Sequence, residues 1–216
     1  MELTGGKGLE GYTTIAGPVT AEHVEKRSRF LSLAAPVGDE ESALALLSEV
    51  RTKYWDATHN CYAYILRNGN IQRYSDDGEP QGTAGMPILE VLRRQNLTDV
   101  LVVVTRYFGG TLLGAGGLVR AYTLGATLAL EKAKLLRMRR CVVFTLTVDY
   151  SMYGKLQNLL CEFGAVTLQD DFGAEITLTL RMEADKLPVF SKQLSELSAG
   201  RLAPRVVGEE FAPVEC

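Results

Sequence analysis

Along the first 140 residues, short β-rich runs alternate with stretches in which apolar residues recur every three to four positions. Tyr12–Val19 and Glu25–Ala35 read as strands. Asp39 follows as an N-cap, and Ala43, Leu44, Leu46, Leu47 and Val50 mark a helix reaching about Tyr54. Cys61–Leu66 and Ile71–Tyr74 flank Asn68-Gly69, a strong hairpin signal. GTAGMPILEVLRRQN opens a helix with Pro87 early and Ile88, Leu89, Val91 and Leu92 on one face. Asp99–Phe108 holds the continuous run LVVV, which predicts a strand covered on both faces. A glycine-rich stretch then leads into a long helix, roughly 115–137. Its polar positions, Arg120, Thr123, Thr127, Glu131 and Lys134, form one narrow stripe, so most of its circumference is predicted to be buried.

From Cys141 the order changes to strand, helix, hairpin, helix, strand. Ser151 and Asp185 read as the two helix caps, and RLAPRVVGEEF as the last strand. This β-α-β-β-α-β order is ferredoxin-like. The basic cluster RMRR (137–140) reads as a junction, giving an α+β protein with domains 1–138 and 139–216.

Composition narrows the function. Hydrophobic residues make up 46% and charged residues 23%, which is globular. No apolar run reaches the roughly 20 residues of a membrane helix. The segment MELTGGKGLEGYTT lacks the apolar stretch of a secretory signal. Cys61, Cys141, Cys161 and Cys216 are widely spaced and read as reduced thiols, so a cytoplasmic setting without membrane contact is expected. Net charge is −3, divided as +2 over 1–140 and −5 over 141–216. A dedicated duplex binder carries a larger basic excess. Any nucleic-acid contact must rest on a local patch in the first domain.

TRYFGGTLLGAGGLVRAY (105–122) is the strongest candidate patch. Gly109, Gly110, Gly114, Gly116 and Gly117 lie between a buried strand and a helix start. Such a turn aims backbone N–H groups at an anion, and Arg106 and Arg120 can add forked donors. The competing reading is close packing of helix on sheet, with both arginines paired to carboxylates. The Walker spacing is absent, as is the acidic partner of a Rossmann site. SDDGEPQGTAGMP (75–87) gathers Asp76, Asp77 and Glu79 ahead of Gly82, Thr83 and Gly85. These acids can ligate a cation, pair with Arg106 and Arg120, or form an acidic turn beside a helix start. Lys26, Arg27 and Arg29 alternate as a basic strand face. With the aromatics Tyr54, Trp55, Tyr62, Tyr64, Tyr107 and Phe108 they suit RNA backbone and base stacking, or are ordinary surface. His59 and Cys61 share a strand face, but no oxyanion turn accompanies them. His23 reads as a solvated loop residue.

EKRSRF (25–30), HNCYAYIL with YSDDGEPQGTAGMPIL (59–89) and VVVTRYFGGTLLGAGGLVRAY (102–122) together resemble the IMPACT/YigZ family. The resemblance implies a first domain folded like a small-subunit ribosomal protein domain, a superfold shared with GHMP-type kinases. It also implies a C-terminal module like the ferredoxin-like domain of elongation factor G. Eukaryotic relatives regulate translation under amino-acid starvation by competing for a partner of a protein kinase. The shared motif positions fall on Asp76, Asp77, Gly78, Glu79, Gly82, Thr83, Gly85, Arg106, Tyr107, Gly109, Gly110, Gly114, Gly117 and Arg120.

The reading drawn from these residues is a translation-associated factor without a cofactor or bound metal. It contacts RNA or the ribosome through the glycine loop, Arg106, Arg120, the acidic turn and residues 26–29. Two other classes stay open: an enzyme or binding protein for a phosphorylated or nucleotide ligand, with Asp76 or Asp77 as base, and a module for a protein partner of the translation machinery.

Overall fold

The structure is a computed structural model that describes residues 11–214. Two compact units are formed, one of Tyr12–Arg137 and one that takes in Gly11 together with the chain from Met138 onward.

The N-terminal unit is built on an antiparallel sheet of order β2-β3-β6-β4-β5, comprising Val19–Glu25, Ser28–Pro36, Val100–Tyr107, His59–Leu66 and Ile71–Ser75. A short strand, β1 (Gly11–Ile15), precedes it, and Thr13 bridges to Leu97. The LVVV strand, β6, is central, and seven of its eight residues are buried. Two helices, α2 (Gly85–Arg94) and α3 (Ala115–Glu131), cover one face over Phe30, Cys61, Val102 and Val104. Each fully buried large side chain there, Phe30 and Tyr122 among them, contributes about 1.5–3 kcal/mol. On the other face lies α1 (Glu40–Lys53), capped by Asp39 as predicted and packed on Tyr64, Leu66, Leu101 and Val103.

Several expectations shift locally. The strand expected over Tyr12–Val19 is broken by Ala16, Gly17 and Pro18 into β1 and the start of β2. The strand expected from Glu25 begins only at Ser28, because Lys26 and Arg27 form the β2–β3 turn at positive φ (43° and 68°). Both central residues of a type I′ turn need that conformation. Lys26, Arg27 and Arg29 therefore do not alternate on one strand. His23 is not in a loop: it lies on β2, stacked on Phe30 with centroids 4.8 Å apart, and both ring nitrogens are sealed without a partner. The long helix ends at Glu131, and 135–137 already belong to β7 (Leu135–Val148).

The C-terminal unit follows β7 with α4 (Tyr150–Phe163), β8 (Val166–Phe172), β9 (Ile176–Glu183), α5 (Leu187–Leu197) and β10 (Arg205–Pro213). Its sheet order β10-β7-β9-β8, all antiparallel, is the ferredoxin-like arrangement. Val142, Phe144, Leu178 and Leu180 face α4 and α5 in one core. The caps differ from expectation: Asp149, not Ser151, receives the Met152 N–H, and α5 starts after Lys186 with Pro188 in its first turn. Cys216 lies outside the described residues.

Close approach fixes Gly109. A Cβ there would stand 2.1 Å from the carbonyl of Arg27, which is backbone and cannot swing away. Gly109→Ala is expected to lower stability by about 1–3 kcal/mol in denaturant unfolding. Gly17→Ala, which meets nothing within 4 Å, should stay within about 0.5 kcal/mol. Burial also pushes the His23 imidazole below its ordinary pKa. The unfolded chain then takes the proton first as pH falls through about 6.5, so this contribution is full above that pH and lost below it. The native chain should lose more stability between about pH 7.5 and about pH 5.5 than His23→Gln does; equal losses would refute the assignment.

Candidate functional site

The acidic turn is organised by its own backbone. Asp76 accepts the N–H groups of Gly82 (2.8 Å), Ala84 (3.0 Å) and Gly85 (2.8 Å). Since Ala84 has no side chain able to cap α2, Asp76 supplies the cap from upstream. Asp77 accepts the Asn60 N–H (2.7 Å) and an Arg51 N–H (2.9 Å). Its partner is therefore Arg51, not Arg106 or Arg120. Thr83 closes the turn by donating to the Pro80 carbonyl, and Gly85 lies flat against the backbone of Ser75. Both aspartates are thus engaged in holding the turn, Asp76 by three backbone amides and Asp77 by Asn60 and Arg51. Among the described residues no cluster of three metal-ligating side chains occurs.

Glu79 goes elsewhere. It is 8% exposed, and its Oε1 accepts Arg106 Nη1 (2.6 Å) and the Tyr122 hydroxyl (2.7 Å). Arg106, 5% exposed, lies 5.6 Å from the ring centroid of Phe30 and 5.5 Å from that of Phe108. Its Nη2 donates to Ser28 Oγ (3.2 Å), which also accepts the Gly109 N–H (3.2 Å). The Asp77 carbonyl can only accept, so His59 Nδ1, 2.8 Å away, holds a proton, and Nε2 faces Glu79 at 3.8 Å. The Cys61 thiol donates to the Asp76 carbonyl (2.9 Å), and burial pushes its pKa up to about 12. Burial likewise raises Tyr122. A thiol held this high is no nucleophile at neutral pH. Five segments distant in sequence thus meet at one buried cluster.

The glycine loop lies over this cluster and divides the two arginines. Arg106 belongs to the interior. Arg120 is exposed, has no ion pair or hydrogen bond among the described residues, and lies beside Gly116. Gly110 has a φ of 80°, and Gly117 packs on Leu113. Gly114 begins α3 at a φ of 73°, with no side chain capping it. The N–H groups of Ala115, Gly116 and Gly117 donate no hydrogen bond to a described residue; the ladder starts with the Leu118 N–H to the Gly114 carbonyl. Lys26 and Arg27, exposed and unpaired among the described residues, stand against Gly109 across the Arg27 backbone. Phe108 and Leu112 are exposed beside them, at 46% and 83%. Arg29 is instead forked onto Glu22 (2.6 and 3.0 Å), and Tyr107 donates to Asp56 (2.8 Å). Tyr64 is buried under α1, with its hydroxyl on Glu40.

His59 and Cys61, which the sequence offers as a catalytic pair or as packing, belong to this cluster, as do Ser28 and Tyr122, which the sequence does not single out. The signal available for the last two was their place inside EKRSRF and GGLVRAY, beside residues already singled out.

Comparison with known proteins agrees with this division. Residues 26–130 match the Impact N-terminal domain, and 146–201 match a domain of unknown function, DUF1949. The chain is 36% identical to IMPACT family member YvyE of Bacillus subtilis over 194 residues, covering 89% of each. It is 34% identical to IMPACT family member YigZ of Escherichia coli, covering 90% of this chain and 97% of that one. A solved structure titled as a hypothetical protein superposes with a TM-score of 0.61 at 33% identity, over 93% of this chain and 98% of the other.

Glu79→Ala strands the Arg106 charge in the interior and is expected to cost about 3–5 kcal/mol. Combining Glu79→Leu with Arg106→Met should recover most of that loss in the same unfolding measurement. A double variant as unstable as Glu79→Ala would mean that the charge pair is not what the cluster protects.

Proposed function

The chain belongs to the IMPACT family, and we propose that its N-terminal unit is an RNA-contacting module of the translation machinery, acting at the ribosome or on RNA bound there. The observation that carries this reading is the open N-terminus of α3. Three amides with no bond to a described residue lie at the positive end of a 17-residue helix beside Arg120, and the loop that leads to them passes the exposed Lys26–Arg27 turn at Gly109. A helix start of this kind favours phosphate oxygens, and unpaired cations add charge-assisted bonds. Phe108 and Leu112 on the same rim offer apolar surface for an unstacked base.

Backbone contact without base-edge readout fits the composition. The unit has little net charge, so attraction is local. Binding through a few phosphates is sequence-tolerant and sensitive to salt. Arg106 takes no direct part in this reading; it shapes the rim from beneath.

The test replaces Lys26 and Arg27 by Asn, which tolerates positive φ, together with Arg120→Ala. This folded triple variant is expected to lose about ten-fold or more in ribosome co-sedimentation and single-stranded RNA binding at moderate salt. Its log–log salt slope should shrink by about 0.7 for each lost phosphate contact. Native affinity and slope in the variant would remove the rim as the contact.

A further inference from the structure

The other sheet face holds a cleft that the loop reading does not use. Helix α1 covers β4 and the far half of β6, but stops short of β2 and the start of β3. The strand register lines up Thr20 with Leu33, Glu22 with Leu31, Leu31 with Thr105, and Arg29 with Tyr107. These alternate side chains form a three-strand floor. The end of α1 supplies a wall of Val50, Lys53 and Tyr54, and the cleft encloses about 460 Å³.

Its chemistry is mixed in a specific way. Leu31, Leu33 and Val50 give an apolar base, while the rings of Tyr54 and Tyr107 line one end. Tyr107 is held by its hydroxyl bond to Asp56, so its ring is fixed before any ligand arrives. Arg29, Lys53 and Lys132 against Glu22 leave the lining with net charge +2. Lys53 stands 5.2 Å from the Tyr54 ring centroid and extends from an exposed position. Arg29 is forked onto Glu22 and Lys132 donates to the Thr20 carbonyl, so Lys53 is the cation of the lining without an ion pair or hydrogen bond among the described residues, and a purely apolar peptide face would leave it unanswered. A flat ring carrying a negative group answers both halves of the lining: the ring stacks on tyrosine and the anion meets lysine.

We infer that this cleft is a nucleotide subsite, taking one base of a single-stranded RNA against Tyr54 and Tyr107 with its phosphate at Lys53. The inference rests on the RNA reading above and adds a second contact. Arg29 and Tyr107 lie at the end of the sheet that carries the Lys26–Arg27 turn, and β6 runs from Tyr107 through Phe108 into the glycine loop. A strand bound at the loop would reach the cleft around this end of the sheet, where Arg29 and Tyr107 pair in register.

Stacking and charge separate experimentally. Tyr54→Leu keeps an apolar group against α1 but removes the ring. It is expected to weaken a 12-nucleotide single-stranded RNA about ten-fold with an unchanged salt slope. Lys53→Glu, at an exposed position, should weaken binding and reduce the slope. Titration of ¹⁵N-labelled native protein with a nucleoside monophosphate alone should shift the Leu31, Thr105 and Tyr107 amides if a free nucleotide suffices. If only the oligonucleotide shifts them, the polymer is the source. Circular dichroism confirms that each variant is folded. RNA binding that is lost in the rim variant but native in Tyr54→Leu and Lys53→Glu, with those amides unmoved by either probe, overturns the cleft and leaves the rim standing. Loss in the cleft variants alone does the reverse. Native binding in all of them overturns both.

Discussion

The buried pair between Arg106 and Glu79 sets the terms for the rest of the N-terminal unit. Removing two charges from water costs several kcal/mol each, and mutual attraction repays it only with good geometry and further hydrogen bonds. Here the two terminal nitrogens of the guanidinium are satisfied, while its Nε is buried without a partner among the described residues. The Tyr122 hydroxyl joins Arg106 on the same glutamate oxygen, and Ser28 takes the second guanidinium nitrogen. Flanking rings of Phe30 and Phe108 accept the cation face-on from an otherwise apolar interior. Because the residues lie on β3, the acidic turn, β6 and α3, satisfying one pair of charges fixes four segments at once.

That constraint reaches the surface through a single hydroxyl. Ser28 Oγ accepts from both Arg106 and the Gly109 amide. The loop therefore leaves β6 at a defined point, tight against the Arg27 carbonyl, where only glycine has room. Two consequences follow from geometry alone. The Lys26–Arg27 turn is carried to the loop's edge, and the chain from Gly110 to Gly114, anchored by buried Leu113, enters α3 with its first three amides unbonded among the described residues. The interior cation is turned onto Glu79, and its bond to Ser28 shapes the loop above it.

Much of this was legible in the sequence wherever one element decides its own form. LVVV announced the central strand, the narrow polar stripe announced the buried α3, and Asn68-Gly69 located the β4–β5 hairpin, whose turn closes as a short 3-10 segment over Asn68–Asn70. What escaped depends on partners far along the chain. Lys26 and Arg27 carry no turn signature, since positive φ at both is imposed by the pairing of Glu25 with Ser28. Three acids within four residues carry the same charge, yet Asp76 turns to backbone amides, Asp77 to Arg51 and Glu79 inward to Arg106. Their directions alternate with the turn, not with residue type. The cleft left no sequence trace at all, because it is the part of a sheet face that a helix fails to reach.

Charge pairing explains how a unit with little net charge can still present a focused surface. Glu22 takes Arg29, Asp77 takes Arg51, Asp99 takes Arg67, Glu40 takes Arg73 and Glu90 takes Arg93. Each such pair cancels its far field, and exposed pairs of this kind add little stability. The arginine and lysine side chains left unanswered beside the glycine loop then dominate the local potential, at a site where helix and backbone dipoles point the same way. The glycines are thus necessary but not sufficient. They free the amides, while Lys26, Arg27 and Arg120 stay exposed with no ion pair among the described residues, unlike the arginines paired above.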